Sequence, residues 1–383
     1  MTAAIIQTRA LLVDAYRELN ARKLFWITLM LSGVLVLVFA LLDIGARSVT
    51  FAGFNIDIPV TVDRVLFFKF AFTQIGIGVW LTWVATVLAL ISTAGIVPDL
   101  ISGGTVEMLV SKPIGRVRLL LSKFAFGLLF VALQVAVFSV GCFLVFGLKG
   151  VFWEPRILLA VPIVVVFYSY LFAVCVLLGL LTKSTVAALL LTLLFWFVMF
   201  ILNVTDVSLL TAESTSKTRY ERLQEQVERL EVATIRGLEA QGDEAPSADD
   251  TEALDRANPL LASRRRSLVG AEEDYESWSK WAGRVPIAKT TLPKTTETIA
   301  LLERSLIDPV ELEQFRLDNE EAFDVPPPPA NVEDEVFVSP QEGAEGAEAA
   351  LRSRSVWWII GTSLVFEGVV LGVCCWIFAR RDF

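Results

Sequence analysis

Six long apolar runs limit what this chain can fold into more than any other feature: residues 24–42, 70–97, 124–148, 157–182, 184–205 and 355–379. The first is 19 residues long and carries no charge. A helix needs roughly 20 such residues to cross a hydrocarbon core about 30 Å thick. The runs predict an all-α membrane protein with six transmembrane helices. The first run is too long for the apolar part of a cleavable signal peptide, and no small-residue cleavage site follows it.

Composition divides the chain sharply. Of 383 residues 55% are hydrophobic and the mean hydropathy is +0.61, against roughly 45–50% apolar in a soluble domain. Residues 205–350 hold 32 of the 42 acidic and 15 of the 33 basic residues, a net charge of −17, and the rest of the chain carries +8. The low pI of about 4.9 therefore describes one large insert between the fifth and sixth runs. A surface this acidic argues against a nucleic-acid partner. There is no histidine, which excludes His-based triads, His metal sites and His pH switches. Cys142, Cys175, Cys374 and Cys375 all fall inside apolar runs; they read as small packing residues, not as a disulfide or zinc framework. No cofactor is implied.

Residues 1–23 place Ile5, Ile6, Leu11, Leu12, Ala15 and Leu19 near helical spacing, as in an amphipathic helix lying on a membrane surface. Residues 24–204 hold the first five spans, with polar segment 93–123 between the second and third. A loop follows the first span, where residues 48–58 alternate as a small hairpin would. Lys and Arg counts in short loops set orientation. With the N-terminus inside, eleven fall inside (Arg9, Arg17, Arg22, Lys23, Lys112, Arg116, Arg118, Lys123, Lys183, Arg380, Arg381) and five in short outer loops. Arg352 and Arg354, before the last span, run against this pattern. The balance predicts both termini in the cytoplasm, segment 93–123 on the same side, and residues 205–350 outside.

Segment 93–123 carries Asp99 and Glu107, then Lys112, Arg116, Arg118 and Lys123. Leu100, Ile101, Val106, Leu109 and Val110 suit a short amphipathic helix, interrupted at Gly103-Gly104 and stopped before Pro113. Such a helix, laid across the membrane between two spans, is a docking surface for a soluble partner. The order Asp99, Gly104, Thr105, Glu107, Leu109, Ser111, Lys112, Pro113, Arg116, Lys123 resembles the ABC-2 type transporter permeases. The closing Phe378-Ala379-Arg380-Arg381-Asp382-Phe383 is similar to that family's usual end. This family often has Glu where this chain has Asp99. The resemblance covers roughly residues 1–205 and 351–383. It implies that the segment is the coupling helix meeting a separate ABC ATPase subunit, through Asp99, Gly104, Thr105, Glu107, Leu109, Lys112, Pro113 and Arg116. It also implies a homodimer or a second, similar permease, and export as the direction. The chain has no GxxxxGK[ST] loop of its own, so it is not expected to be an enzyme. The basic residues are expected at lipid phosphates.

The insert is expected to be mostly helical and coiled-coil-like. Residues 213–240 place Tyr220, Leu223, Val227 and Leu230 on one face. Residues 241–257 read as a linker, and 259–282 as a second helix holding Arg264–Arg266, Tyr275, Trp278 and Trp281. The arginines read as a solvated face and the tryptophans as packing between helices. Two further helices are expected over 295–306 and 309–323. A four-proline run and an acidic, Ala- and Gly-rich return follow, and residues 351–383 close the chain.

Within the spans Glu367 stands out, because an ionised carboxylate at the centre of a membrane helix costs about 2.5–3.5 kcal/mol on insertion scales. Gln134 falls at a similar depth in the third span. The pair reads either as a polar spot on a translocation path or as a buried Glu–Gln hydrogen bond holding helices together. Gly76, Gly78 and Gly127 are expected at close helix contacts. Trp26, Trp196, Trp357 and Trp358 are expected at interfacial belts, and Trp80 and Trp83 in packing. The expected function is that of an ABC transporter's membrane subunit in the bacterial cytoplasmic membrane. The alternative is an anchor or force transmitter whose outer insert organises an envelope complex.

Overall fold

Glycine, proline and charge punctuate the apolar runs, and the helices of this computed structural model start and stop near those marks. The structure describes residues 23–45, 48–57, 63–98, 115–241, 250–308, 310–311, 314 and 337–380. Among these, six helices are long and apolar enough to cross a membrane. The expected interfacial helix at 1–23 lies outside the described residues, except for Lys23. The chain divides into two units: Met1–Phe200, Thr291–Asp324 and Val356–Phe383 form the first, Ile201–Thr290 and Val325–Ser355 the second.

The first unit begins with α1 (Lys23–Leu41). A three-stranded antiparallel sheet follows: β1 (Leu42–Gly45), β2 (Ser48–Phe51) and β3 (Phe54–Asp57). Leu42 pairs with Phe51 and Ser48 with Asp57. The all-α expectation is corrected here: the hairpin expected over 48–58 is present, and β1 adds a third strand. Ala52 and Gly53 turn it with φ of 49° and 90°, the left-handed pair that two-residue hairpin loops require.

α2 (Arg64–Ala71), a π-helical stretch (Phe72–Ala85) and α3 (Thr86–Thr93) make one continuous apolar helix. π-Helix is normally a single turn, often at functional sites; here it runs 14 residues. The hydroxyls of Thr82 and Thr86 donate to carbonyls five residues back, Ile77 and Leu81, each at 2.8 Å. Then come α4 (Arg116–Leu148), a 3₁₀ turn (Pro155–Leu159) and α5 (Ala160–Thr182). α5 is the central helix: 72% of its apolar window is buried, against 22% in α1. It stops at Lys183, whose φ of 55° and ψ of 20° are left-handed, with its N–H bonded to Gly179 O at 3.0 Å. α6 (Thr185–Gln241) starts two residues later.

Aromatic rings fill the core of this unit. Phe124 stacks on Phe172 at 5.1 Å and Phe72 on Phe138 at 6.1 Å. Gly127 lets Phe172 approach so closely that a Cβ there would overlap its ring, and a Cβ at Gly76 would lie 3.1 Å from Phe138 Cζ. The third expected glycine, Gly78, meets only its own helix. Gly127→Leu is expected to destabilise the unit by about 1–3 kcal/mol through overpacking, read as a lower melting temperature in detergent. An unchanged melting temperature would show that the Phe172 ring moves freely aside. Trp83 stacks on Trp196 at 4.7 Å, so Trp196 is buried packing and not part of an interfacial belt. Trp80 donates from Nε1 to Ser32 Oγ at 3.1 Å. Trp357 is exposed, as a belt residue would be.

At the end of α4, Lys149 donates to Phe39 O and Leu42 O, closing the end of α1. Burial holds its pKa below the ordinary lysine value; Asp43 opposes that shift and Arg64 adds to it.

The second unit contains α6 from Ile201 onward, α7 (Thr251–Ala257), α8 (Pro259–Lys289) and α10 (Pro340–Ser353). The helix expected over 213–240 is continuous with the fifth apolar run as one helix of 57 residues. Its Leu223 and Val227 are buried, and Val227 packs with Leu254 and Leu261. Tyr220 stacks on Tyr275 at 6.1 Å. Part of the expected linker is helical: Asp250 caps α7, accepting from Ala253 N at 3.1 Å. Asn258 caps α8, with Pro259 at the first helical position. Arg265 is no solvated residue: it bonds Glu231 at 2.7 Å and Asp255 at 3.0 Å.

The acidic Ala- and Gly-rich return is α10. Ser339 accepts from Glu342 N at 3.2 Å in a Ser-x-x-Glu start. Gly343 and Gly346 let α10 lie directly on Thr215 and Ser214 of α6.

Asp206 joins three helices of this unit. It is 1% exposed; its Oδ2 accepts from Lys289 at 2.8 Å and from Arg354 at 2.7 Å, and its Oδ1 from Arg354 at 3.0 Å. Burial alone would raise its pKa, but the hydrogen bonds and charges of Arg354 and Lys289 hold it below the usual carboxylate range. The two arginines that ran against the charge pattern are both paired, Arg354 here and Arg352 with Glu348 at 2.9 Å.

α9 (Thr295–Leu306) was read as part of the 205–350 insert, yet it belongs to the first unit. The reason is its amphipathic face: Leu302, Leu306 and the following Ile307 are buried with the apolar helices. The helix expected over 309–323 falls mostly outside the described residues. The chain closes with a π-turn (Trp357–Gly361) and α11 (Thr362–Arg380).

Candidate functional site

Residues one helical turn apart on α11 and its leading turn, Ile359, Ser363 and Glu367, share a face. That face meets α5 and α9 of the same unit. Glu367 is 8% exposed, and its Oε2 accepts from Ser169 Oγ at 2.7 Å. Ser169 Oγ also lies 2.8 Å from Val166 O. One hydroxyl proton thus faces two acceptors. A proton on Glu367, donated to Ser169 Oγ, would leave the Ser169 proton to Val166 O and satisfy both atoms.

Towards the start of α11, Ser363 accepts from Lys294 N at 3.0 Å and donates to Ile359 O at 2.7 Å. Lys294 is 1% exposed; its Nζ donates to Thr362 Oγ1 and lies 4.2 Å from the centre of the Trp358 ring, a cation–π contact. Thr298 donates to Lys294 O at 2.7 Å. The hydroxyl of Tyr170, fully buried beside Ser169 in sequence, interacts with the hydroxyls of Thr298 and Ser363 and with the Glu367 carboxyl, and so belongs to the same group.

The result is a polar seam inside an apolar unit, holding the Lys294 ammonium, the Glu367 carboxyl and several hydroxyls, with buried Glu297 three residues along the chain from Lys294. It offers hydrogen-bonding and ion-binding chemistry. Among the described residues no three Cys, Asp or Glu side chains converge as metal ligands.

Of the intramembrane pair read from sequence, Glu367 lies in this seam. Gln134 is buried too, but the expected Glu–Gln hydrogen bond is not made: Ser169 takes that place, and Gln134 Nε2 has no partner among the described residues. Ser169, Tyr170, Lys294, Thr298 and Ser363 were missed. Hydroxyls in spans are too common to single out, and Lys294 sits in the acidic stretch expected outside the membrane.

Of the expected ATPase-coupling residues, Asp99, Gly104, Thr105, Glu107, Leu109, Lys112 and Pro113 lie outside the described residues. Their flanks are described. Pro98 packs on the helix corner, where a Cβ at Gly179 would lie 3.2 Å from Pro98 Cδ and 3.8 Å from Ala188 Cβ. Nearby, the hydroxyls of Thr93 and Tyr168 share a hydrogen bond of 2.6 Å. On the far flank Arg116, the first residue of α4, donates from Nη1 to Ala379 O at 3.4 Å near the end of α11.

Compared with known proteins, the chain matches no family model, no curated protein and no solved structure.

Proposed function

We propose that this chain is the membrane-spanning subunit of an ATP-driven transporter of the ABC-2 type, acting as an exporter in a cytoplasmic membrane with both termini inside. ATP is hydrolysed in a separate subunit docked on residues 97–110. Two copies, or this chain and a similar one, enclose the path. The reading is carried by the order of residues from Asp99 to Lys123. The flanks support it: Pro98 is packed against α5 at Gly179, and Arg116 is bonded to α11, so force on the segment reaches both helices directly. Gln74 on the exposed face of the π-helical stretch, beside exposed Ile75 and Val79, gives a polar point from which a path between copies can be built.

A second reading takes the outer insert as the working part, with the spans as anchor and transmitter. It is favoured by the burial of Glu367, Gln134, Ser169 and Ser363 inside one unit, away from any surface that a solute would wet.

ATPase assays of the protein reconstituted with its partner ATPase decide between them. Asp99→Arg with Glu107→Arg is expected to abolish complex formation and stimulated hydrolysis. Normal assembly and hydrolysis in the double variant would overturn the coupling assignment and direct attention to the insert.

A further inference from the structure

We propose that the last turn of α8, from Arg284 to Ile287, lies in the phospholipid headgroup layer and anchors the insert on the membrane surface. The inference rests on the apolar helices crossing a membrane and on nothing about transport.

Two contacts fix the level of this turn against α6. Lys289 Nζ reaches Asp206 at 2.8 Å and Asn203 Oδ1 at 3.3 Å, and Ala282 packs with Leu210. The helices are therefore antiparallel, with the end of α8 beside residues 203–206. The apolar run of α6 also ends there, with Ile201 and Val204 exposed as lipid-facing residues are. At 1.5 Å rise per residue, Ile287 lies about 3 Å and Arg284 about 7.5 Å along the axis from Lys289. The headgroup layer on each face of a bilayer is roughly 5–7.5 Å thick, so Ile287 falls within it and Arg284 at its outer limit.

The side chains suit that layer. Ile287 is 74% exposed, a large apolar group without protein cover. Arg284 lies 5.0 Å from the Trp281 ring, so an exposed indole supports the guanidinium from the watery side. A cation at phosphate level with an apolar residue one turn deeper is the arrangement by which helices hold an interface. Trp278 and Trp281, read from sequence as packing between helices, are instead partly open to solvent.

A spin label at Ile287→Cys tests this in the full-length protein in phospholipid nanodiscs. Cys375, the one native cysteine not fully buried, is changed to Ala. Collision with oxygen, enriched in lipid, and with a water-soluble nickel chelate is measured. The oxygen-to-nickel ratio at residue 287 is expected to be several-fold higher than for Val269→Cys, an exposed position on the same helix. Arg284→Cys should fall between the two. Arg284→Glu is expected to raise nickel access at 287. Equal, water-like ratios at 287 and 269 would overturn the proposal. So would dipolar broadening between labels at 287, which would show that a second copy covers the turn.

Discussion

Asp206→Ala is expected to destabilise the second unit by about 3–5 kcal/mol, because it removes the buried carboxylate that Lys289 and Arg354 share. The carboxylate is nearly inaccessible and receives three charge-assisted bonds from two other helices, so little water can take its place. Limited proteolysis should cut between α8 and α10 in the variant while the apolar helices stay intact. Resistance equal to wild type would show that the triad is spectator to the packing of Gly343 and Gly346. The same group sets an acid limit. Its pKa is depressed on folding, so its contribution is complete above the unfolded carboxyl pKa of about 3.9. It is lost as pH falls through the lower folded value. Wild-type stability should therefore fall on acidification through that window, and Asp206→Asn should flatten the fall.

Glu367→Met separates the two meanings of the polar seam. Ser169 keeps Val166 O as an acceptor when the carboxyl is gone, so no hydroxyl is orphaned. Replacing a buried polar group by an apolar one of similar size is close to neutral when no partner is left unsatisfied. The melting temperature should hold or rise. Under the transport reading, partner-stimulated ATP turnover coupled to export should drop at least about tenfold, ~1.4 kcal/mol in the limiting step. Glu367→Gln, which still accepts from Ser169, should retain stability. A Met variant that is stable and fully active would reduce Glu367 to a packing residue. One that melts early would make it a structural bond between α5 and α11.

The long helices are legible in the sequence because apolar length specifies them, and that length can be read without knowledge of neighbours. α8 starts at the expected residue 259, where an Asn-Pro cap is a local signal. α10 was unreadable because glycine lowers helix propensity in isolation, whereas here Gly343 and Gly346 are useful for the absence of a side chain against α6. The membership of α9 was hidden for a related reason: a net acidic stretch looks solvated when averaged, while its leucines and Lys294 are individually buried. The seam was half legible. One carboxyl in a span is conspicuous, but its partner was read as Gln134 from depth alone, and depth does not fix which way a helix is rotated.

The corner at Lys183 has a consequence for how the chain enters a membrane. A left-handed backbone favours glycine, and a side chain there costs roughly 1–2 kcal/mol. The chain nevertheless keeps the one charge it has between two apolar runs totalling about fifty residues. With glycine at that corner the hairpin would relax locally but carry no cation to stop it at a bilayer surface, and either tip could be threaded across during synthesis. The strained lysine makes one orientation of the nascent pair cheaper than the other before any tertiary contact exists.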